Sequence, residues 1–244
     1  MSNRLAIFDC DGTLVDSQAN ICMAMEKAFE RAGLTPPPRE QTRRVVGLSL
    51  VEAMQTLLPD ADFDHHQALA EDYKDAFFEM RTAGVVHEPL YDGISETIAS
   101  LDSDGWLLGV ATGKSDRGLK FVLEAHDLTD RFVTLHTADR HPSKPHPAML
   151  EACMAEAGAT AASTAMIGDT TFDMAMARSA DMLAIGVSWG YHDAHELEAA
   201  GADIVIDRPI DIPAVLKELS CPQKIANAWP NRDSRRCNCS ALRG

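Results

Sequence analysis

No run of apolar residues in this 244-residue sequence approaches the ~20 needed to span a bilayer, and no membrane partner is expected. One Arg precedes a short apolar run that leads straight into acids, too short for a signal peptide. The expectation is a soluble, cytoplasmic protein. Basic residues are scarce, 22 against 37 acids, for a net charge of −15. That balance argues against a nucleic-acid partner. The scarcity is uneven, because residues 221–244 hold five basic residues and one acid. This stretch has no periodicity and is expected to be a flexible basic tail. Six cysteines occur without a C-x-x-C pair or regular spacing, so neither a disulfide framework nor a zinc site is indicated, and reduced thiols are expected. The nine histidines show no metal-ligand spacing, and no dinucleotide fingerprint, internal repeat or low-complexity tract is present.

What is present is a series of short apolar runs, each ending in a polar or Gly-containing turn. They are RLAIF (4–8), WLLGVA (106–111), RFVTL (131–135), TAMI (164–167), MLAIGV (182–187) and DIVI (203–206). Helical patterns lie between them at 94–101, 115–125, 147–157, 171–179 and 192–200. Alternation of this kind predicts an α/β fold with right-handed crossovers and a mainly parallel, Rossmann-like sheet. The unbroken apolar character of the runs suits strands covered on both faces.

One segment interrupts the alternation. Ser17–Ala32 places Ile21, Met25, Ala28 and Phe29 at helical spacing. The sequence GLTPPP (33–38) ends that helix, and two more helices are predicted at 48–58 and 68–80. Residues 16–86 therefore read as a helical insertion, with residues 1–15 and 87–220 forming the sheet domain.

Ligands in open parallel sheets bind at the carboxyl ends of strands. The first run is followed by Asp9 and Asp11, the second by Thr112, Gly113 and Lys114, and the fourth by Gly168, Asp169 and then Asp173. Lys144 sits in KPHP, where Pro145 favours an extended backbone at the lysine. An isolated Asp-x-Asp is commonly only a turn, but carboxylates, a hydroxyl, a glycine amide and a lysine at successive strand ends together suit a hard cation such as Mg²⁺ beside a phosphate. Cys10, between two acids, reads as structural, because the acids disfavour its thiolate. Lys114 reads as a rim residue, and Asp16 and Ser17 as hinge and helix N-cap.

The segments DCDGTLVDS, ATGKS, SKPHP and GDTTFD resemble the four ordered motifs of the haloacid dehalogenase superfamily of phosphohydrolases. The helical insertion just after the first motif resembles the cap of its phosphoglycolate-phosphatase and β-phosphoglucomutase branch. The resemblance covers about residues 4–216. It implies that Asp9 attacks phosphorus to form an aspartyl-phosphate, and that Asp11 protonates the leaving alkoxide and then activates water. It also implies Mg²⁺ held by the Asp9 carboxylate, the Asp11 carbonyl and Asp169, with Asp173 slightly further out. Thr112 and the Gly113 amide would hold phosphoryl oxygens, and Lys144 would balance their charge.

Asp11 favours phosphoryl transfer, because dehalogenases of this kind lack an acid at that place. The insertion segment VVGLSLVEAM (45–54) has no lysine after Gly47 and carries Leu50 where phosphoglucomutases tend to have an arginine. Leu48 and Ser49 are expected to form a substrate-facing loop, with Arg43 and Arg44 available for a substrate carboxylate or second phosphate, or else simply surface residues. The expected substrate is a small phosphorylated metabolite, phosphoglycolate-like or a sugar phosphate, and the chain a monomer or homodimer. A phosphomutase and a non-catalytic binding protein remain as alternatives.

Overall fold

The computed structural model describes residues 2–219, so the expected basic tail lies outside the described residues. Strands β1 (Asn3–Phe8), β2 (Leu107–Thr112), β3 (Thr134–Thr137), β4 (Ala159–Gly168), β5 (Leu183–Val187) and β6 (Ile204–Ile206) form one sheet in the order β3-β2-β1-β4-β5-β6. Every pairing is parallel. Helices α1 (Gln18–Arg31), α2 (Arg39–Arg44), α3 (Leu50–Leu57) and α4 (Phe63–Thr82) all lie between β1 and β2. They are followed by α5 (Ile94–Ser103), α6 (Asp116–Ala125), α7 (Ala148–Ala157), α8 (Thr171–Ser179), α9 (Ala194–Ala199) and α10 (Ile212–Leu219).

Successive residues of β1 point to opposite faces of the sheet. Ala6 and Phe8 join one core with residues of α5, α6 and α10. Leu5 and Ile7 join a second, methionine-rich core with residues of α7, α8 and α9. Both faces are covered, which explains why the strands read as continuous apolar runs. Each fully buried side chain of this size contributes about 1.5–3 kcal/mol through removal from water.

The sheet order positions the site. From β1 the chain builds outward to β2 and β3, then returns to the other side of β1 for β4. This reversal opens a crevice at the carboxyl ends of β1 and β4. Phe8 is in register with Val110 and Ile167, so Asp9 and Asp169 leave the sheet within one residue of each other.

Helices α1, α3 and α4 bury their own cluster, in which Ile21, Met25, Ala28 and Phe29 meet Met54, Leu69, Tyr73, Ala76 and Met80. The chain leaves the sheet and returns to it side by side. Val15 bridges Leu90, the Asp16 amide donates to the Pro89 carbonyl at 2.9 Å, and the Tyr91 amide donates to Leu14 at 3.1 Å.

Several elements differ from the sequence reading. Strand β3 begins at Thr134, because Thr129–Arg131 forms a 3-10 turn and Phe132 turns inward, edge-on to Phe8 with ring centroids 6.4 Å apart. Helix α4 starts at Phe63, because Asp62 caps it by accepting from the His65 amide at 2.9 Å. Helix α2 is polar and short, with one buried residue, Thr42, and gives no periodic signal. Helix α10 has no counterpart among the expected helices, although Ile212 and Leu216 bury one face of it.

Candidate active site

The turn after β1 is wound tightly about the Cys10 carbonyl, which accepts from the Leu14 and Val15 amides at 2.9 and 3.1 Å. Gly12 in this turn has φ +84, and a Cβ there would lie 2.1 Å from Asp169 Oδ2. Only glycine permits both the left-handed backbone and so close an approach. Asp9 is buried at the start of the turn, where its Oδ1 accepts from the Cys10 amide at 2.7 Å. Its Oδ2 lies 2.9 Å from Lys144 Nζ, a close ionic contact that is not an aligned hydrogen bond. Burial, more than any other influence, pushes the Asp9 carboxyl up to about 6; Lys144 pulls it down, and Asp173 and Asp11 push it up. Burial also pushes the Cys10 thiol well up, in keeping with a structural role.

The other carboxylates come from the end of β4 and the start of α8. Asp169 is fully buried, with Oδ1 accepting from Thr13 Oγ1 at 2.7 Å and Oδ2 from the Tyr191 amide at 2.9 Å. Burial, then Asp9 and Asp173, raise its carboxyl well above the ordinary range. Asp173 closes a capping box, its Oδ2 accepting from the amide and hydroxyl of Thr170 at 3.1 and 2.7 Å. Its Oδ1 accepts from Lys144 Nζ at 2.7 Å. Lys144 is itself fully buried. Burial alone would lower its pKa, but Asp173 and Asp9 override that and raise it, so the ammonium stays charged between them.

Asp11 faces another way. Its Oδ1 accepts from Ser17 Oγ at 2.5 Å and from Lys114 Nζ at 2.6 Å. This corrects two expectations. Lys114 is not a rim residue: its side chain is only 9% exposed and also meets Glu88 at 2.9 Å. Burial alone would lower its pKa, but the Asp11 and Glu88 carboxylates raise it instead. Ser17 precedes α1 but makes no side-chain cap bond, because its buried hydroxyl is held by Asp11 and lies 3.1 Å from the Tyr191 hydroxyl. Thr112, buried at the end of β2, accepts from the Lys114 amide at 3.2 Å.

A cavity of about 390 Å³ lies between these loops and helices α1, α3 and α4, with Asp9, Asp11, Thr112, Gly113 and Leu48 in its lining. Of the expected insertion residues, Arg43, Arg44 and Ser49 do not line it. Arg44 is drawn to Glu196 and Glu40, and Arg43 to Glu40 at 3.5 Å. The Ser49 amide donates to Ser143 Oγ at 2.8 Å, which ties the loop to the residue before Lys144. Sequence reasoning also missed Thr13, Glu88, Thr170 and Tyr191. Thr13 was visible inside the first motif, whereas the Tyr191 contact to Asp169 is made by a main-chain amide that no side-chain identity encodes.

Among the described residues, Asp9, Asp169 and Asp173 form a possible cation cluster, offering carboxylate oxygens within 4.8 Å of one another. The donors are all hard oxygens, which suits a divalent cation of the magnesium class better than zinc with its nitrogen and sulfur ligands. Asp9 Oδ2 is a buried acceptor without a hydrogen-bond partner, which suits it to ligate a cation. The Asp11 carboxylate is engaged elsewhere, so only its carbonyl is left for the metal role implied by the sequence. Both Asp173 oxygens are already bonded, which suits a place slightly further out.

Comparison with known proteins agrees with this geometry. The family model described as haloacid dehalogenase-like hydrolase matches residues 6–187. The chain is 38% identical over 205 residues to "Probable phosphatase IndB" of Dickeya dadantii, covering 83% of this chain and 89% of that one. It is 31% identical over 211 residues to a phosphoglycolate phosphatase of Agrobacterium fabrum, covering 83% and 88%. The crystal structure of a hydrolase from Pseudomonas syringae superposes with a TM-score of 0.78 at 26% identity, covering 89% and 99%. No helix of the described residues is long and apolar enough to cross a membrane. With the family model spanning most of the chain and the four motifs gathered at the strand ends, this protein belongs to the haloacid dehalogenase-like hydrolases.

Proposed function

We propose that the chain is a Mg²⁺-dependent phosphatase that hydrolyses a small phosphomonoester through an aspartyl-phosphate. The observation that carries this reading is Asp9, buried at the end of β1, with Lys144 at 2.9 Å and two further carboxylates beside it. An Asp9 oxygen attacks phosphorus, the ester P–O bond breaks, and Asp11, which must carry a proton for this step, gives it to the leaving alkoxide. Asp11 then takes a proton from water, which displaces phosphate and frees Asp9. Thr112 and the Gly113 amide hold phosphoryl oxygens, and Lys144 offsets their charge. Asp9, Asp169, Asp173 and the Asp11 carbonyl would hold Mg²⁺, which when bound neutralises charge gathered on the phosphoryl group.

Residues 16–86 act in this reading as a cap over a core of residues 1–15 and 87–220, hinged where Val15 pairs with Leu90. Closure excludes bulk water and restricts entry to small metabolites. The names of the Dickeya and Agrobacterium relatives support a phosphatase, and the second makes phosphoglycolate the nearest named substrate. A cytoplasmic monomer or homodimer fits this role.

The test is phosphate release from a panel of phosphomonoesters, including 2-phosphoglycolate and hexose phosphates, with Mg²⁺ and with chelator. Mg²⁺-dependent release is expected. Isomerisation of hexose phosphates without release would identify a phosphomutase instead, and silence in both assays a binding protein.

A further inference from the structure

The cavity beyond Asp9 is larger and more apolar than a two-carbon leaving group requires. Its volume of about 390 Å³ falls in the range of pockets that enclose drug-sized ligands. Asp9, Thr112 and Gly113 mark the phosphoryl end. Away from them the wall is made by Ile21, Met25, Val46, Leu50, Ala53 and Phe77, from α1, α3, α4 and the loop before α3. Phe78 and Phe121, 46% and 40% exposed, belong to the same lining and give the cavity an aromatic margin. Apart from Thr112 and Ser115, the uncharged polar side chains in the lining are Thr42 and Tyr73.

The charges in the lining do not favour an anionic leaving group. Lys114 is matched by Asp11 and Glu88, Lys74 by Glu71 at 2.7 Å, and Arg81 by Glu88 at 2.6 Å. Arg117 is exposed, its guanidinium 4.4 Å from the centroid of the Phe78 ring. Asp75 and Asp139 are also in the lining and would repel a carboxylate. A sugar would set several hydroxyls against the hydrocarbon part of the wall, where only Thr42 and Tyr73 offer uncharged partners, which is costly.

We infer that the preferred substrate is the phosphomonoester of an alcohol with an apolar body, carrying an aryl or branched alkyl group, and not phosphoglycolate or a hexose phosphate. The inference rests on the phosphatase reading and names the substrate class of that same site. Each methylene buried in such a wall is worth about fourfold in transition-state binding.

The experiment measures kcat/KM of the full chain with Mg²⁺ for methyl, butyl and 2-phenylethyl phosphate, 2-phosphoglycolate and glucose 6-phosphate, by phosphate release. A rise of roughly 10²-fold from methyl to 2-phenylethyl phosphate is expected, with the latter at least about tenfold better than 2-phosphoglycolate. Ala53→Phe, which adds a ring to the wall, should lower the ratio of 2-phenylethyl to methyl phosphate by about tenfold or more. The wild-type series decides the matter even if that variant folds poorly. A flat series, or preference for 2-phosphoglycolate or glucose 6-phosphate, overturns the inference and leaves the phosphatase standing. Absence of Mg²⁺-dependent release from every ester overturns both.

Discussion

The Lys114 ammonium lies 2.6 Å from Asp11 Oδ1, and its other carboxylate partner, Glu88 at 2.9 Å, stands at the return of the chain from the helical insertion. Glu88 is held in turn by Arg81 of α4, at 2.6 Å. A line of alternating charges thus runs from the insertion to Asp11. Lys114→Met would leave two mostly buried carboxylates facing each other. Removing one partner of a buried ion pair costs about 3–5 kcal/mol, which for a chain of this size is roughly 6–20 °C in Tm. Thermal unfolding of the variant checks this. The loss should shrink in a Glu88→Gln background, and a loss below about 2 °C would show a solvated lysine after all.

Asp9→Asn should separate chemistry from stability. It removes the proposed nucleophile but changes little volume, so turnover should fall by about 10⁴-fold or more. It also removes one of the two carboxylates that share Lys144, and Asp173 still holds that ammonium at 2.7 Å. Without metal, the variant should therefore unfold no earlier than wild type. Steady-state rates and Tm in chelator test both halves. Turnover near the wild-type rate would refute the covalent route.

The sheet and the four motif-bearing loops were legible because each depends on local sequence. Apolar runs end in Asp9, Thr112 and Asp169, and the α1 face of Ile21, Met25, Ala28 and Phe29 repeats at helical spacing. What escaped depends on partners far along the chain. Lys114 looked solvated because its acids lie 103 and 26 positions away. Ser17 looked like a helix cap because the pull of Asp11 on its hydroxyl exists only once the turn after β1 has closed. Arg43 and Arg44 looked available for substrate, but Glu40, one turn away on α2, and Glu196, on the far side of the sheet order, hold them.

The pH dependence of stability should test the candidate metal site. The folded-state pKa of Asp9, about 6, is above its ordinary value of 3.8. A raised carboxyl contributes stability that is full below the unfolded value and is lost as pH rises through the folded one. Asp169 is raised as well, by burial and by Asp9 and Asp173, and adds a loss of the same sign. Metal-free protein should therefore lose this contribution from about pH 4 upward through 6. A divalent cation needs the same carboxylates ionised, so its stabilisation should grow over the same window. The gap in Tm between saturating Mg²⁺ and chelator should widen from pH 5 to pH 8. A gap independent of pH would remove these carboxylates from the metal site.

Gly113→Ala tests whether the insertion loop must seat on the phosphate-binding loop for turnover. A Cβ at Gly113 would lie 2.6 Å from the Gly47 carbonyl oxygen and 2.7 Å from that of Leu48. Both are backbone atoms, which cannot swing aside as a flexible side chain can, so the loop must lift. Asp9, Asp169 and Asp173 are untouched by that collision, and the Mg²⁺-dependent rise in Tm should persist. Turnover should not. A lifted loop admits water and shifts the substrate, and a displacement of about 1 Å can cost about 10²-fold. Retained Mg²⁺ stabilisation with kcat/KM reduced by roughly 10–10²-fold is the expected pair of results. A kcat/KM within twofold of wild type would mean that the loop turns over substrate without resting on Gly113.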